Sequence, residues 1–416
     1  MKKKILIIVY YWPPSGGAGV QRWLKFVKYL PQFDWEPTVV TTKKGDYPVI
    51  DESLLLEVPE KVRVVQTKTP SFLKLFNKTS DDSLPYGSLE YGENDSFIKK
   101  IAIWFRRNII VPDARKLWNK YAYRSAKKLI ELNDYQAVVT SGPPHSTHLV
   151  GLKLKKKYKI NWIVDFRDPW TNIDYLKNIK RLKLTDKYDL KLERKVINNC
   201  DKLIAVNDQI IAELNVEEKS VVITNGYDED DFKNLKREDS STLNINYFGN
   251  ITIERNPLIL LKAINMLLKE KKCEISLNFW GMITKEIKDK LAEHDVYEIV
   301  RIHSYLPHSE ILQKMLHSSI LLLIINNVPG NVGITTGKIF EYLGAKRPIL
   351  GIGPTDGEAA KLIKNASSGK MFEYDNMLGI KNFINNILNN NEGFDFSDVE
   401  QFSRKALTKE LIDNLK

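Results

Sequence analysis

What most constrains this chain is a rhythm: from residue 4 onward, short β-branched runs alternate with amphipathic helical stretches, as βαβ units around a parallel sheet require. Runs at Lys4–Tyr10, Thr38–Thr42, Ala137–Thr140, Trp162–Asp165, Leu203–Val206 and Val221–Thr224 predict one sheet. A second series at Leu243–Phe248, Ile275–Trp280, Ile299–His303, Ile320–Ile324 and Pro348–Ile352 predicts another. Between the first two runs, Val20, Trp23, Leu24, Val27 and Leu30 recur on one helical face that covers a sheet, and Pro31 ends the helix.

With 416 residues the chain has room for two such cores. Asn225-Gly226-Tyr227 and the polar stretch to about Ser241 read as the linker. The expectation is therefore α/β throughout, in two Rossmann-like parallel-sheet domains over residues 1–235 and 243–396. A helix over 397–416 is a candidate to pack back on the first domain. The region from Tyr47 to Asn119 offers no firm strand. Its basic aromatic segment Phe97–Val111, with Trp104, Phe105, Arg106 and Arg107, reads either as a membrane-touching helix or as an ordinary helix on a core.

Composition narrows the class. Apolar runs such as Ile5–Val9 fall far short of the roughly 18 residues that span a bilayer, and the lysine-rich start has no cleavage site behind it. Cys200 and Cys273 are too few for a disulfide framework, which fits a reducing cytoplasm. Residues 1–200 hold 37 Lys and Arg against 21 Asp and Glu, while the rest holds 26 against 31. A basic half suggests an anionic partner such as a membrane surface, with lysines that merely fill solvent positions as the alternative. No nucleic-acid module is visible, so nucleic acid is not expected as a partner.

Several clusters at predicted strand ends carry candidate chemistry. After the first strand, Pro13-Pro14-Ser15-Gly16-Gly17-Ala18-Gly19 opens a helix, a turn that suits a phosphate or serves as a structural tight turn. Its spacing is not that of a dinucleotide fingerprint, and the second strand ends in Thr41-Thr42 without the acid that a nicotinamide enzyme needs. Thr140-Ser141-Gly142-Pro143-Pro144-His145 places His145 in a rigid turn, able to hydrogen-bond a substrate or stabilise charge, with His148 packing behind it. Asp165-Phe166-Arg167-Asp168-Pro169-Trp170 gathers groups that recognise sugars, or else a structural Asp–Arg pair.

In the second half, Gly249-Asn250 ends a strand and Arg255 is placed to reach a diphosphate. The loop from Gly330 through Gly333, Thr335, Thr336 and Gly337 runs into a helix with Lys338 and Glu341 on its first turns. Backbone amides, a hydroxyl and an ammonium there suit phosphates, and Glu341 suits a ribose diol or is simply a dipole-favoured helix acid. Asp228-Glu229-Asp230 matches a metal-binding D-x-D only superficially and reads as a solvated charge run. The histidines show no metal spacing.

In this order, these clusters resemble retaining glycosyltransferases of family four, of GT-B architecture and bacterial surface-polysaccharide type. The carriers are the Pro-Pro-x-Gly-Gly turn with Arg22, the turn at His145, Asp201–Val206 before Thr224-Asn225-Gly226, Gly249, and Glu341 with Lys346-Arg347-Pro348. The resemblance implies two domains facing a cleft and a cytoplasmic enzyme peripheral to the inner face of the membrane. It would move a hexosyl or acetamidohexosyl group from a nucleotide-sugar to a lipid-linked or saccharide acceptor, without a metal or other cofactor. His145, Arg255 and Lys338 would be catalytic. Gly16, Gly17, Gly249, Asn250, Thr335, Thr336, Gly337 and Glu341 would bind the donor. Arg22, Asp165, Arg167, Asp168 and Trp170 would bind the acceptor. Asn250 stands where the family has the first of two basic residues, and Gly333 where it has an earlier Glu. An epimerase-like or catalytically lapsed protein of the same architecture is the alternative.

Overall fold

The structure, a computed structural model, describes residues 2–70, 96–172, 179–238, 240–304, 306–390 and 393–415. The chain forms two compact units, one of Met1–Thr224 with Leu407–Lys416 and one of Asn225–Ala406.

The first unit is built on strands β1 (Lys3–Ile8), β2 (Trp35–Thr42), β3 (Arg63–Thr67), β4 (Ala137–Gly142), β5 (Trp162–Phe166), β6 (Lys202–Ala205) and β7 (Ser220–Val222). They pair in parallel in the order β3-β2-β1-β4-β5-β6-β7. Ile7 lies opposite Val39 on one side and Val139 on the other, so β1 is buried on both faces and both edges. Such a strand must be apolar along its whole length, which is why Ile5–Ile8 shows no alternation. Alternate side chains still serve different layers. Ile5 and Ile7 pack with Val20, Trp23, Leu24 and Val27 of α1 (Ala18–Tyr29), whereas Leu6 and Ile8 pack with Ala122, Ala126 and Val150. Leu407, Leu411 and Leu415 join the Ile5 face, so the end of the chain completes the first core.

The second unit repeats the plan with β8 (Leu243–Phe248), β9 (Ile275–Trp280), β10 (Val300–His303), β11 (Ile320–Ile324), β12 (Ile349–Ile352) and β13 (Gly369–Phe372). The parallel order is β10-β9-β8-β11-β12-β13. One face buries Ile245 and Tyr247 against Leu260, Leu261 and Ile264, and the other buries Leu321 and Leu323 against Ile339 and Leu343. No helix among the described residues is long and apolar enough to cross a membrane.

Four details differ from the sequence reading. β3 forms within the stretch that offers no firm strand, because Arg63-Val64-Val65-Gln66-Thr67 is a short, half-exposed edge whose polar residues dilute the apolar signal. β13 is missed for the same reason. The segment after Asn225 is not a free linker: Tyr227 and Asp228 are buried, and Tyr227 exchanges backbone hydrogen bonds with Phe402 and Arg404. Asp228 accordingly accepts from the Asp230 amide and is not part of a solvated run. The tail is broken at Ser403 into a 3-10 helix over Phe396–Phe402 and an α-helix over Arg404–Asp413. Residues 71–95 of the irregular region lie outside the described residues.

Candidate functional site

In an all-parallel sheet every strand delivers its carboxyl end to one edge, and ligands gather where the winding reverses. In the first unit that reversal lies between β1 and β4, and in the second between β8 and β11.

At the first edge, two of the five expected acceptor residues, Arg22 and Asp165, are spent on each other. Arg22, on α1, donates to Asp165 on β5 at 2.9 Å from Nη2 and 3.1 Å from Nε, and both side chains are fully buried. Asp165 also accepts from Trp23 Nε1 and Ser141 Oγ, each at 2.7 Å, and Arg22 Nη1 reaches the Thr224 carbonyl at 2.8 Å. A carboxylate with this many donors presents nothing to a sugar. The acceptor role expected for Arg22 and Asp165 is therefore corrected to a structural lock of helix, strands and chain exit; the partner of Asp165 is Arg22, outside the six-residue cluster. Trp170 is likewise buried, its indole N–H on Asp189 at 2.8 Å, and Asp189 is in turn held by Arg181 at 2.9 Å. Burial takes Trp170 out of a sugar-stacking role. Arg167 is half-buried and donates to the carbonyls of Gly142 and Pro143, and Asp168 is the exposed member of the group.

His145 sits in the turn after β4, buried against Trp170, whose ring lies 5.3 Å away and within 8° of parallel. Its Nε2 lies 3.1 Å from the Pro169 carbonyl, which can only accept, so Nε2 carries the proton and Nδ1 is a bare acceptor without a partner. Burial, then His148 and Arg167, hold its pKa well below the usual imidazole range, outweighing the Pro169 bond. The ring is thus held neutral, with Nδ1 left as an acceptor. His148 is fully buried beside it, bonded to Thr140 Oγ1 at 2.9 Å, with its pKa pushed by burial to about 3. A Cβ on Gly142 would lie 2.6 Å from His148 Nε2 and 2.8 Å from His145 Nδ1, so only glycine lets both rings close over the strand end. Gly16 and Gly17 belong to this unit too. Gly16 donates to the Val49 carbonyl at 2.9 Å, fastening the turn, and Gly17 has φ +94° at the start of α1.

The second edge is built differently. β8 ends at Gly249, with φ +131°, and the Lys338 ammonium lies over it: a Cβ there would meet Nζ at 2.1 Å. Lys338 opens the helix Lys338–Ala345 and stands over the Tyr247 ring at 4.8 Å. Arg255 lies within electrostatic reach of the Tyr247 hydroxyl, which itself donates to the Asn250 carbonyl at 3.1 Å, and its Nε reaches Asn326 after β11, so it spans the reversal point. Two cations flank one phenol. Burial and the neighbouring Arg255 lower the Lys338 pKa to about 8, with Glu341 pulling the other way. Glu341 Oε1 pairs with His308 Nε2 at 3.0 Å. Thr336 Oγ1 is buried without a partner in the loop before the helix. Thr335 is half-buried and Gly337 exposed, while Gly333 closes a 3-10 turn. Asn250 is exposed, its amide oxygen 3.4 Å from the Met282 amide, so the expected first cation is replaced by a neutral backbone contact. Of the residues expected at the donor and catalytic positions, Gly249, Arg255 and Lys338 come together around Tyr247 in the second unit, while Gly16 and Gly17 belong to the first.

Sequence reasoning missed Tyr247, whose ring lies under Lys338 and whose hydroxyl lies within electrostatic reach of Arg255, and His308, the partner of Glu341. Tyr247 lies inside a strand run and looks like core. His308 carries no motif.

Residues 85–231 match the family described as Glycosyltransferase Family 4. No curated protein matches the sequence. Among solved structures, the glycosyltransferase of Rickettsia africae is similar over 100% of this chain and 94% of its own, at 15% identity and a TM-score of 0.57. Anabaena Alr3699/HepE, solved in complex with UDP, is similar over 99% of both chains at 12% identity and 0.60. The lipopolysaccharide outer core galactosyltransferase WaaB is similar over 99% of both at 12% and 0.56. The fold is GT-B. Its two Rossmann-like units are those the sequence rhythm predicts.

Proposed function

We propose that this GT-B protein is a glycosyltransferase that takes a hexosyl or acetamidohexosyl group from a nucleotide-diphosphate-sugar. The pairing of Arg255 with Lys338 around Tyr247, at the reversal point of the second sheet, is the observation that carries this reading. Two cations without a saturating carboxylate, beside a helix start and a glycine edge, suit a diphosphate. The Family 4 match over residues 85–231 and the UDP held by HepE support a nucleotide as its carrier.

In this scheme the bond from the anomeric carbon to the diphosphate breaks and one to an acceptor hydroxyl forms, with retention, while the hydroxyl proton passes to the leaving phosphate. Negative charge grows on the diphosphate, where Arg255, Lys338 and the amides around Gly337 stabilise it without a metal. The free oxygen of Glu341 takes the ribose diol, and the neutral His145 offers Nδ1 to a sugar hydroxyl. The acceptor is a saccharide or lipid-linked saccharide of a cell-surface polysaccharide, met at the inner face of the membrane. Phe97, Ile98, Ile101, Trp104 and Phe105 are exposed on an acid-free helix over Phe97–Asn108, which supports contact with an anionic surface.

A thermal-shift screen against UDP, GDP, their sugar conjugates and NAD(H), without metal, tests the reading. Stabilisation by one nucleoside diphosphate that is lost in Arg255→Ala is expected. A response to NAD(H) alone, or to none of them, would overturn it.

A further inference from the structure

Among the described residues, Arg115 is a buried cation at the first unit's reversal point that the lock around Asp165 does not use. It lies on the 3-10 helix Ala114–Trp118, is only 8% exposed, and its Nε is buried without a hydrogen-bond partner. Among the described residues no ion pair to its guanidinium is formed.

Its helix is pinned to the strand ends from both sides. Trp118 donates to Thr67 at the end of β3 at 2.7 Å, and its ring meets Tyr10, after β1, edge-on at 5.5 Å. Asp113, just before the helix, accepts from the amide and hydroxyl of Ser146 after β4, each at 2.8 Å, and from the Arg115 amide at 3.0 Å. Arg115 is thereby held between the β1 and β4 ends. Burial draws its pKa down, but Tyr11, Tyr10, Asp113 and Asp46 more than offset this, so the cation persists. Tyr11, the first of these neighbours, is half-buried, and burial raises its pKa, so its phenol keeps a proton to give. Arg167 is a second cation within electrostatic reach of that hydroxyl.

The charge is thus compensated, but the buried Nε still has no hydrogen-bond acceptor, and a buried donor left unmade is costly. What is missing is an oxygen that accepts from it. We propose that Arg115 and Tyr11 form a phosphate-binding subsite of the first unit, which takes a phosphate group carried by the acceptor. A carboxylate spends both oxygens on the guanidinium fork, whereas a phosphate has a third left for the Tyr11 hydroxyl. Only the word acceptor rests on the proposed transferase reading; the subsite itself does not.

Inorganic phosphate is the probe, with acetate at matched ionic strength as control, on wild type, Arg115→Met and Arg255→Ala. Near ten times its Kd, phosphate should raise the Tm of wild type and Arg255→Ala by about 3–6 °C and leave Arg115→Met unmoved. Should Arg115→Met not fold, Arg115→Gln replaces it, and Tyr11→Phe should shrink the shift. A phosphate response absent in wild type, retained in the Arg115 variant, or matched by acetate would overturn the subsite. UDP and GDP separate the two readings: whichever stabilises wild type should still stabilise the Arg115 variant and not Arg255→Ala. Loss of the response to both everywhere, with the phosphate pattern intact, would sink the transferase reading alone.

Discussion

Two arginines stand at corresponding edges of the two sheets and do opposite things. Arg22 is wholly buried and meets a carboxylate, a carbonyl and no solvent. Arg255 is half-buried beside a second cation, Lys338, and shares a tyrosine with it. The difference is the source of the counter-charge. In the first cluster the chain supplies it, so the cation becomes architecture. In the second, the acid beside Lys338, Glu341, is itself paired with His308, and Glu254 beside Arg255 is exposed and bonded to Thr252, so a ligand can supply it.

Removing one partner of the closed cluster should cost the most. Asp165→Asn leaves a buried, uncompensated guanidinium and should lose about 3–5 kcal/mol in urea unfolding. Arg255→Ala should stay within about 1 kcal/mol of wild type, as expected away from a closed network. Equal losses would erase the distinction drawn between the two edges. Glu341→Ala comes next, with a donor KM raised roughly tenfold and folding intact, as for loss of a hydrogen bond to a charged group. An unchanged donor KM would remove Glu341 from the site.

The smallest effect is graded. Because burial and Arg255 bring the Lys338 pKa to about 8, its charge fades in the folded protein as pH rises through that value, while the unfolded chain keeps the proton until near the ordinary lysine value. Diphosphate affinity should therefore weaken above pH 8, while the unliganded protein gains stability as the buried charge is relieved. A flat affinity profile between pH 7 and 9, or the same profile in Lys338→Met, would show that Lys338 does not hold the anion.

Most of the fold is legible in the sequence because buried parallel strands must be apolar throughout, as at Ile5–Ile8 and Ile320–Ile324. Edge strands such as Arg63–Thr67 carry no such demand and disappear into loops. The second cluster is legible because Gly249, Thr336 and Lys338 are unusual where they stand. The first misleads: Arg22 and Asp165 are 143 positions apart, and nothing local says that they pair. Arg115 is hidden for the converse reason, since a lone arginine in a polar segment announces neither its burial nor the lack of a partner.

The most direct test is calorimetric titration of wild type, Arg255→Ala and Lys338→Met with each nucleoside diphosphate and its parent nucleoside. The account predicts that one diphosphate binds wild type about 100-fold or more tightly than its nucleoside, a gain of roughly 3 kcal/mol, and that either variant removes most of this gain. Equal affinity for nucleoside and diphosphate, or a gain that survives in both variants, would contradict it.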